Sequence, residues 1–158
     1  MAIERDDLGF LLAIASRRWN EILESRFAEA GFGEVRASYG AALVPLFEED
    51  GLRMGELAQR AHLSKQTITT LARLLERDGL VTRRPDDTDA RATRVFLTQR
   101  ASAFAPVAED VLASLATELE TVLGPTRVRR LQRVLSTVIE QLELNTRVND
   151  PANRGSLS

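Results

Sequence analysis

A helix, a tight turn, a second helix and a charged hairpin are predicted in succession between Met54 and Thr98, and this order constrains the fold more than any other part of the chain. The second helix is predicted to begin after Ser64, because a serine hydroxyl can accept one of the backbone N–H groups that the first helical turn leaves unpaired. At about 100° per residue, the side chains that follow divide into two faces. The apolar face consists of Ile68, Leu71, Ala72 and Leu75, and the polar face of Gln66, Thr69, Thr70, Arg73 and Arg77.

The polar face of this second helix, which we call the recognition helix, carries amide, hydroxyl and guanidinium groups. These are the groups that meet base edges and phosphates in the major groove of DNA. An ordinary amphipathic surface helix would show the same division into two faces. The helix alone therefore leaves both interpretations open.

The stretch after the recognition helix predicts a β-hairpin. Asp78-Gly79 ends the helix, residues 80–84 resemble a strand, residues 85–90 are turn formers, and residues 91–98 alternate as in a second strand. A hairpin directly after a helix-turn-helix is a wing, and residues 52–53 are predicted as a short strand that pairs with it. Four arginines flank the tip, where the narrow minor groove and its phosphates attract cations: Arg83, Arg84, Arg91 and Arg94.

Three motifs of this stretch resemble the MarR family of winged-helix transcriptional regulators. They are Leu-Ser-Lys-Gln-Thr-Ile-Thr at 63–69, Leu-Leu-Glu-Arg-Asp-Gly-Leu-Val at 74–81, and Asp89-Ala90-Arg91 followed by Leu97-Thr98. The resemblance implies a mainly α (α+β) fold, a winged helix-turn-helix with a three-helix dimerisation region from both termini. It also implies that Asp89 braces the wing and that Arg91 reaches the minor groove.

Two positions depart from the pattern of the family. Thr70 stands where an arginine is common, and Ala101 stands where the Leu-Thr segment is often followed by glycine. The first departure changes the group that position 70 offers to DNA, and the second matters little.

The length of 158 residues and the hydrophobic content of 44% fit one well-cored domain with extensions. We expect a single domain at residues 1–148, with dimerisation helices at 5–34 and 100–146 and a DNA-binding lobe at 52–98. Residues 149–158 are rich in Pro, Gly and Ser and are expected to be disordered.

Four further helices are predicted, at residues 6–30, 35–47, 99–123 and 126–146. The last carries apolar residues at alternating spacings of three and four, as in a coiled-coil seam: Val128, Leu131, Leu135, Val138 and Leu142. Three hydrophobic helices outside a compact winged helix exceed what one small domain can cover, so we infer a homodimer. Its two-fold symmetry predicts recognition helices about 34 Å apart and a pseudo-palindromic operator.

Net charge is −2, but the charge is distributed unevenly along the chain. Residues 1–50 contain 5 arginines and 10 acidic residues, whereas residues 60–100 contain 9 basic and 5 acidic residues. The positive charge therefore lies where DNA contact is expected. An acidic remainder discourages indiscriminate binding to phosphates.

Several other classes of site are not expected. Cysteine is absent, which excludes disulfides and thiolate metal sites, and His62, the only histidine, is interpreted as a turn residue in left-handed backbone rather than a metal ligand. No paired carboxylates, Gly-rich phosphate loop or Ser-His arrangement is present, so neither an enzyme nor a cofactor is expected. The longest apolar run, residues 8–15, is too short to span a bilayer, and we expect a cytoplasmic protein.

The sequence thus predicts a sequence-specific DNA-binding transcriptional regulator, namely a ligand-responsive homodimeric repressor. The residues expected at the DNA site lie on the recognition helix and the wing: Ser64, Lys65, Gln66, Thr67, Thr69, Thr70, Arg73, Arg77, Arg83, Arg84, Asp89, Arg91 and Arg94. The alternative is a winged-helix protein–protein interaction module without DNA binding, which would require an apolar patch on the recognition helix.

By the same resemblance, a small anionic aromatic effector is expected to bind between the first, second and fifth helices. Trp19, Tyr39 and Phe104 are the candidate wall residues by their helix positions. Trp19 also has a simpler interpretation, as a packing residue at a helix junction or dimer seam.

Overall fold

The computed structural model describes residues 7–148, and within them the fold is mainly helical with one small sheet. The predicted fold class, a mainly α winged helix-turn-helix, is confirmed. A 3₁₀ turn, Ala37–Tyr39, precedes the second helix. The helices and strands in chain order are α1 (Leu8–Glu29), α2 (Gly40–Glu48), β1 (Leu52–Arg53), α3 (Met54–Arg60), α4 (Lys65–Arg77), β2 (Val81–Pro85), β3 (Thr93–Leu97), α5 (Gln99–Leu123) and α6 (Pro125–Val148).

The chain divides into two compact units between Leu112 and Ala113. In the first unit, the recognition helix α4 packs against α2, α3 and β2. Its apolar face is buried as the periodicity predicts, and this burial holds the opposite face outward. The buried residues are Ile68, Leu71, Ala72 and Leu75.

The sheet has the order β1–β3–β2, and all of its strand pairs are antiparallel. The predicted wing is therefore present as the β2–β3 hairpin, with Val81 opposite Leu97 at its base. The predicted short strand is also present: Leu52 pairs with Val95, and Arg53 pairs with Arg94. β1 thereby ties the inner strand of the wing to the start of α3.

Two turns depend on left-handed backbone. His62, between α3 and α4, has a φ of 54°, which confirms the prediction of a left-handed turn residue. Gly51, before β1, has a φ of 73°, and a Cβ atom there would lie 2.7 Å from Cε1 of Phe96. Only glycine fits position 51, because both the backbone angle and the space exclude a side chain.

The helix predicted at residues 35–47 begins later, at Gly40. Val35 and Tyr39 are each only 2% exposed, and the N–H of Ala37 donates to Oε1 of Glu24 in α1 at 2.9 Å. This stretch is drawn into the core as loop and 3₁₀ turn. That is a tertiary effect, which helical periodicity does not report.

The start of α5 is attached to the loop that follows α1. The guanidinium of Arg100 donates to Oε1 of Glu34 at 2.6 Å and to the carbonyl oxygen of Gly31. It also lies 3.9 Å from the centre of the Phe32 ring, a cation–π arrangement. Close by, the hydroxyl of Thr98 donates to the carbonyl oxygen of Gly79 at 2.6 Å, at the end of α4.

The second unit comprises the C-terminal part of α5 and α6. Leu115 and Val128 are buried, but seven other large apolar residues of this unit are at least 40% exposed in the single chain: Leu119, Val122, Leu131, Val134, Ile139, Leu142 and Leu144. Leu131 and Leu142 belong to the predicted coiled-coil seam, so this part of the seam is left uncovered by the described residues. Residues 149–158, predicted to be disordered, lie outside the described range. None of the helices within residues 7–148 combines the length and apolar character needed to cross a membrane.

Candidate nucleic-acid interface

The N-terminal end of α4 presents polar groups to solvent. Ser64 caps the helix, since its Oγ accepts the N–H of Thr67 at 3.1 Å and lies 2.8 Å from the Thr67 hydroxyl. Lys65 and Gln66 are exposed beside this cap. Because the first turn of a helix attracts anions, this end of α4 is suited to a phosphate.

Two threonines on the polar face have their hydroxyl protons engaged. Thr69 donates to the carbonyl oxygen of Lys65 at 2.7 Å, and Thr70 donates to that of Gln66 at 3.1 Å. Their oxygens remain free to accept from a base amino group, and their methyl groups are suited to contact with a thymine methyl.

Four cations of the recognition helix and the wing are available to a ligand. Within residues 7–148, Lys65, Arg73 and Arg84 form no ion pair, and the guanidinium of Arg84 lies 4.9 Å from the centre of the Phe96 ring. The Arg91 side chain is 93% exposed, and its Nε lies 3.4 Å from Oδ1 of Asp89. Oδ1 of Asp89 also accepts the backbone N–H of Arg91 at 3.0 Å.

Two other arginines predicted at the site are held by carboxylates. Nε of Arg77 lies 2.9 Å from Oδ1 of Asp78. Arg83 donates to Oε1 of Glu76 at 2.9 Å, and its backbone N–H donates to Oε2 of the same residue at 3.0 Å. Arg83 lowers the pKa of the Glu76 carboxyl, chiefly through the side-chain hydrogen bond. These pairs fix the direction of both arginines and neutralise part of their charge.

Arg94 is also held, at a cluster that the sequence did not reveal. Its Nε donates to Oδ2 of Asp86, and its Nη1 donates to the carbonyl oxygen of Gly51 at 2.6 Å. Nε of Arg53 donates to the same carboxylate oxygen at 2.8 Å. The hydroxyl of Thr88, and then Arg53, hold the pKa of Asp86 far below its ordinary range. Asp86 reads in the sequence as a turn former, and Arg53 lies 33 residues before it.

A groove of about 540 Å³ brings the polar end of α4 together with α3 and the wing. Lys65 and Thr69 of α4 line the groove together with Arg83, Arg91, Ala92 and Thr93 of the wing. The remaining lining residues are Arg53, Met54, Gly55, Glu56 and Gln59. The structure thus places helix and wing residues from the predicted site along one continuous surface.

The three candidate effector residues lie in different environments. Trp19 is half-buried in α1. Tyr39 is 2% exposed, and its hydroxyl donates to Oδ2 of Asp78. Phe104 is 3% exposed and packs edge-on against Phe27, with ring centres 4.8 Å apart. Tyr39 and Phe104 are thus packing residues in this conformation.

A second cleft, which sequence reasoning missed, lies between the segment before α2 and the recognition helix. Its volume is about 610 Å³, within the range of small-molecule sites. Leu71 and Leu74 line its apolar part, and Gln66 and Thr70 line its polar part. The cleft therefore shares residues with the predicted DNA-reading face. Within residues 7–148, no group of His, Asp and Glu side chains is arranged to hold a metal ion.

Comparison with known proteins agrees with this geometry. A helix-turn-helix followed by a hairpin with exposed arginines defines a winged-helix protein. Residues 46–92 match the model of the MarR family. This match runs from the end of α2 through the first strand of the wing, and over that stretch the resemblance predicted from the motifs is confirmed.

Relatives of known function or structure cover different parts of the chain. The HTH-type transcriptional repressor YetL of Bacillus subtilis is 36% identical over 90 residues, which are 56% of this chain and 52% of YetL. The matched region thus spans about half the length of that relative. The name of YetL describes it as a transcriptional repressor.

Two solved structures share the fold. The PcaV transcriptional regulator from Streptomyces coelicolor, in complex with its natural ligand, has a TM-score of 0.74 and 18% identity, covering 89% of this chain and 97% of PcaV. The transcriptional repressor CouR, bound to a 23-mer DNA duplex, has a TM-score of 0.73 and 21% identity, covering 88% and 99%. At such identities the likeness establishes the fold.

Proposed function

We propose that the protein is a sequence-specific DNA-binding transcriptional regulator. The observation that carries this proposal is the groove that Lys65 and Thr69 of α4 share with Arg83 and Arg91 of the wing. Arg73 and Arg84, on the same two elements, are exposed and form no ion pair within residues 7–148. Polar side chains on an outward helix face beside a cationic hairpin match both grooves of a duplex. Such a function belongs in the cytoplasm, where chromosomal DNA lies.

In the major groove, α4 supplies the contacts that distinguish sequences. Gln66 can pair with adenine and Arg73 with guanine, whereas the hydroxyls of Thr69 and Thr70 serve as acceptors. Lys65, with Ser64 and Thr67 at the helix start, binds phosphate. Arg77 at the other end is paired with Asp78, but 67% of its side chain is exposed, so it contributes a weaker phosphate contact. Each good pair with a base contributes about 1–3 kcal/mol of discrimination.

In the minor groove, the wing supplies charge. Arg91 is the arginine of the Asp-x-Arg motif, and 93% of its side chain is exposed. Oδ1 of Asp89 accepts its backbone N–H and steadies it. Arg84, stacked near Phe96, points a second cation outward. Such contacts fix the position of the protein on DNA but carry little sequence information.

The proposed regulator acts as a homodimer. The exposed apolar residues of α5 and α6 would be covered by a second copy, since the exposure of many large apolar side chains is unfavourable in water. Two-fold symmetry then places two recognition helices on a pseudo-palindromic operator. YetL is named a repressor, as is CouR, which favours repression over activation.

A small anionic aromatic effector is proposed to release the DNA, because PcaV, which shares the fold, was solved with a natural ligand. Such a ligand releases the DNA only if it binds the conformation that misfits the operator more tightly than the conformation that binds it. Trp19, Tyr39 and Phe104 remain the proposed wall, and the burial of the last two means that the ligand must open the core to reach them. Thermal-shift measurements with a panel of phenolic acids test this point, and the absence of any stabilising compound would count against it.

The DNA-binding proposal is tested with a duplex from upstream of the protein's own gene and a shuffled duplex of equal length. Binding is measured by fluorescence anisotropy at about 50 and 200 mM salt. We expect tighter binding to the native duplex at both salt concentrations, and weaker binding to both at the higher one. No binding to either duplex at the lower concentration would reject the proposal.

The competing function, a winged-helix protein–protein interaction module, is disfavoured by the surface itself. It requires an apolar patch on the outer face of α4, whereas Gln66, Thr70, Arg73 and Arg77 are the exposed residues there. The same anisotropy experiment separates the two functions.

A further inference from the structure

Asp86 is the buried charged residue of the part of the chain that the structure describes, and 1% of its side chain is exposed. Its Oδ1 accepts the hydroxyl of Thr88 at 2.6 Å, the N–H of Thr88 at 2.8 Å and the N–H of Asp89 at 3.2 Å. Its Oδ2 accepts Nε of both Arg53 and Arg94. Both oxygens are therefore engaged within the protein.

The two arginines are direct partners in the ladder between β1 and β3. Like charges opposite each other in a sheet repel and destabilise the pair of strands. The carboxylate of Asp86 bridges Arg53 and Arg94 and offsets this repulsion. One acid between two bases also leaves a single net positive charge where two would otherwise face solvent.

Further hydrogen bonds determine where the guanidinium groups point. Nη1 of Arg94 donates to the carbonyl oxygen of Gly51, and Nη2 of Arg53 donates to the Thr88 hydroxyl at 3.0 Å. Each guanidinium thus uses its Nε and one Nη on protein acceptors. An arginine can bind a phosphate in a bidentate manner through its Nε and an Nη. In Arg53 and Arg94 this Nε already donates to Asp86.

We infer that Asp86 is a positioning residue that withholds Arg53 and Arg94 from DNA, so that Arg84 and Arg91 make the phosphate contacts of the wing. The inference rests on the proposed function, and it gives Arg94 a role different from the DNA contact predicted from the sequence. Affinity for any duplex rises with the number of phosphates neutralised. Holding two arginines back therefore lowers nonspecific binding and widens the difference between operator and other DNA.

The salt dependence of binding to a shuffled duplex measures the number of phosphate contacts directly. Each contact contributes about 0.9 to the slope of log K against log salt. We expect Arg91→Ala to reduce the slope by about this amount, whereas Arg53→Gln and Arg94→Gln leave it at the parent value. A purely structural role of Asp86 would change the stability of the variants. It would not predict that Arg91→Ala lowers the slope while Arg53→Gln and Arg94→Gln leave it unchanged.

A second measurement releases the arginines. Asp86→Asn keeps the shape of the side chain but removes its charge, and we expect a slope steeper by up to about 0.9 per freed arginine and a smaller ratio of operator to shuffled affinity. Adding Arg53→Gln and Arg94→Gln to this variant should restore the parent slope. Asp87→Asn is the matched control, since Asp87 is exposed and carries the same charge.

The outcomes separate the inference from the function on which it rests. A parent protein that binds no duplex at about 50 mM salt rejects both. A parent that binds, with a slope reduced by about 0.9 in Arg53→Gln or Arg94→Gln, overturns the inference alone. A folded Asp86→Asn variant whose slope equals or is shallower than that of the parent also overturns the inference alone. If circular dichroism shows that this variant does not fold, the slope of Arg53→Gln tests the inference instead.

Discussion

At the scale of single residues, Tyr39 connects the segment before α2 to the end of the recognition helix. Its hydroxyl donates to Asp78, which also accepts Nε of Arg77 at 2.9 Å. Burial, and then the hydrogen bond to Asp78, raise the pKa of Tyr39 above its ordinary value. Arg77 and then Tyr39 lower the pKa of Asp78. A neutral phenol and a charged carboxylate therefore form the stable pair.

Replacing Tyr39 by phenylalanine is expected to lower the free energy of unfolding by about 1–2 kcal/mol at neutral pH, because a hydrogen bond to a charged group is lost. Since the folded pKa of Tyr39 is raised, the stability that this group contributes is complete below the unfolded pKa of about 10 and declines as the pH rises through the folded pKa. Urea unfolding at neutral and alkaline pH, with parent and variant, measures both effects.

The chain has one tyrosine, so its ionisation can also be followed directly by ultraviolet absorbance. Folded protein should form tyrosinate at higher pH than the same protein in denaturant, which is the control. Ionisation of the folded protein at or below the pH of the unfolded control would contradict this prediction.

Gly51 is the residue at which a single methyl group should be most disruptive. Gly51→Ala is expected to destabilise the fold by about 1–3 kcal/mol, because position 51 has left-handed backbone and the new Cβ atom meets the Phe96 ring. Gly55→Ala, in the exposed first turn of α3, is the control and should be neutral or slightly stabilising. Equal unfolding midpoints for the two variants would show that the Gly51 turn is not constrained.

At the scale of elements, the helix and the wing divide the work of binding. α4 offers side chains of several chemistries on a rigid face, whereas the wing offers mainly charge. The first arrangement discriminates among bases, and the second attracts any duplex. The two elements should therefore respond differently to the loss of one arginine.

Arg73→Ala is expected to reduce the preference for operator over shuffled DNA by about 1–3 kcal/mol, whereas Arg91→Ala should weaken binding to both duplexes alike and flatten the salt dependence. Arg17→Ala, an exposed arginine of α1 paired with Glu21, is the matched control. Anisotropy titrations of the three variants measure the effect. An unchanged preference in Arg73→Ala would remove this residue from the proposed base contacts.

The elements that could be predicted from the sequence are those with local causes. Ser64, the apolar residues of α4 and the left-handed turn at His62 all act over a few residues, and each is confirmed. The predicted start of α2 was wrong, because Tyr39 is bonded to Asp78 and Ala37 to Glu24, which are 39 and 13 residues away. The contact between Arg94 and the Gly51 carbonyl, 43 residues away, was missed for the same reason.

At the scale of the whole molecule, the single chain leaves apolar side chains of α5 and α6 exposed to solvent. Leu131 is 47% exposed and Leu142 is 58% exposed. Their periodicity predicted a seam, but the geometry of a partner cannot be read from one chain. The proposed dimer accounts for them and supplies the second recognition helix.

Leu131→Glu is expected to raise the dimer dissociation constant about tenfold or more, because a charge without a partner would be buried in the seam. Gln132→Glu adds the same charge at the next, exposed position and should leave assembly unchanged. Sedimentation velocity over a dilution series measures the difference. A parent protein that sediments as a single chain at all concentrations would contradict the proposed assembly.

The attachment of Arg100 has a consequence for slow backbone fluctuations. Arg100 is bonded to Glu34 in the loop after α1. Thr98, two residues earlier in the chain, is bonded to Gly79 at the end of α4. Amide protons of residues 31–36 and 97–101 should therefore exchange with deuterium at a common rate, as one cooperatively opening segment. Arg100→Gln should give the two segments different exchange rates. Different rates in the parent protein would show that the loop opens independently of the wing.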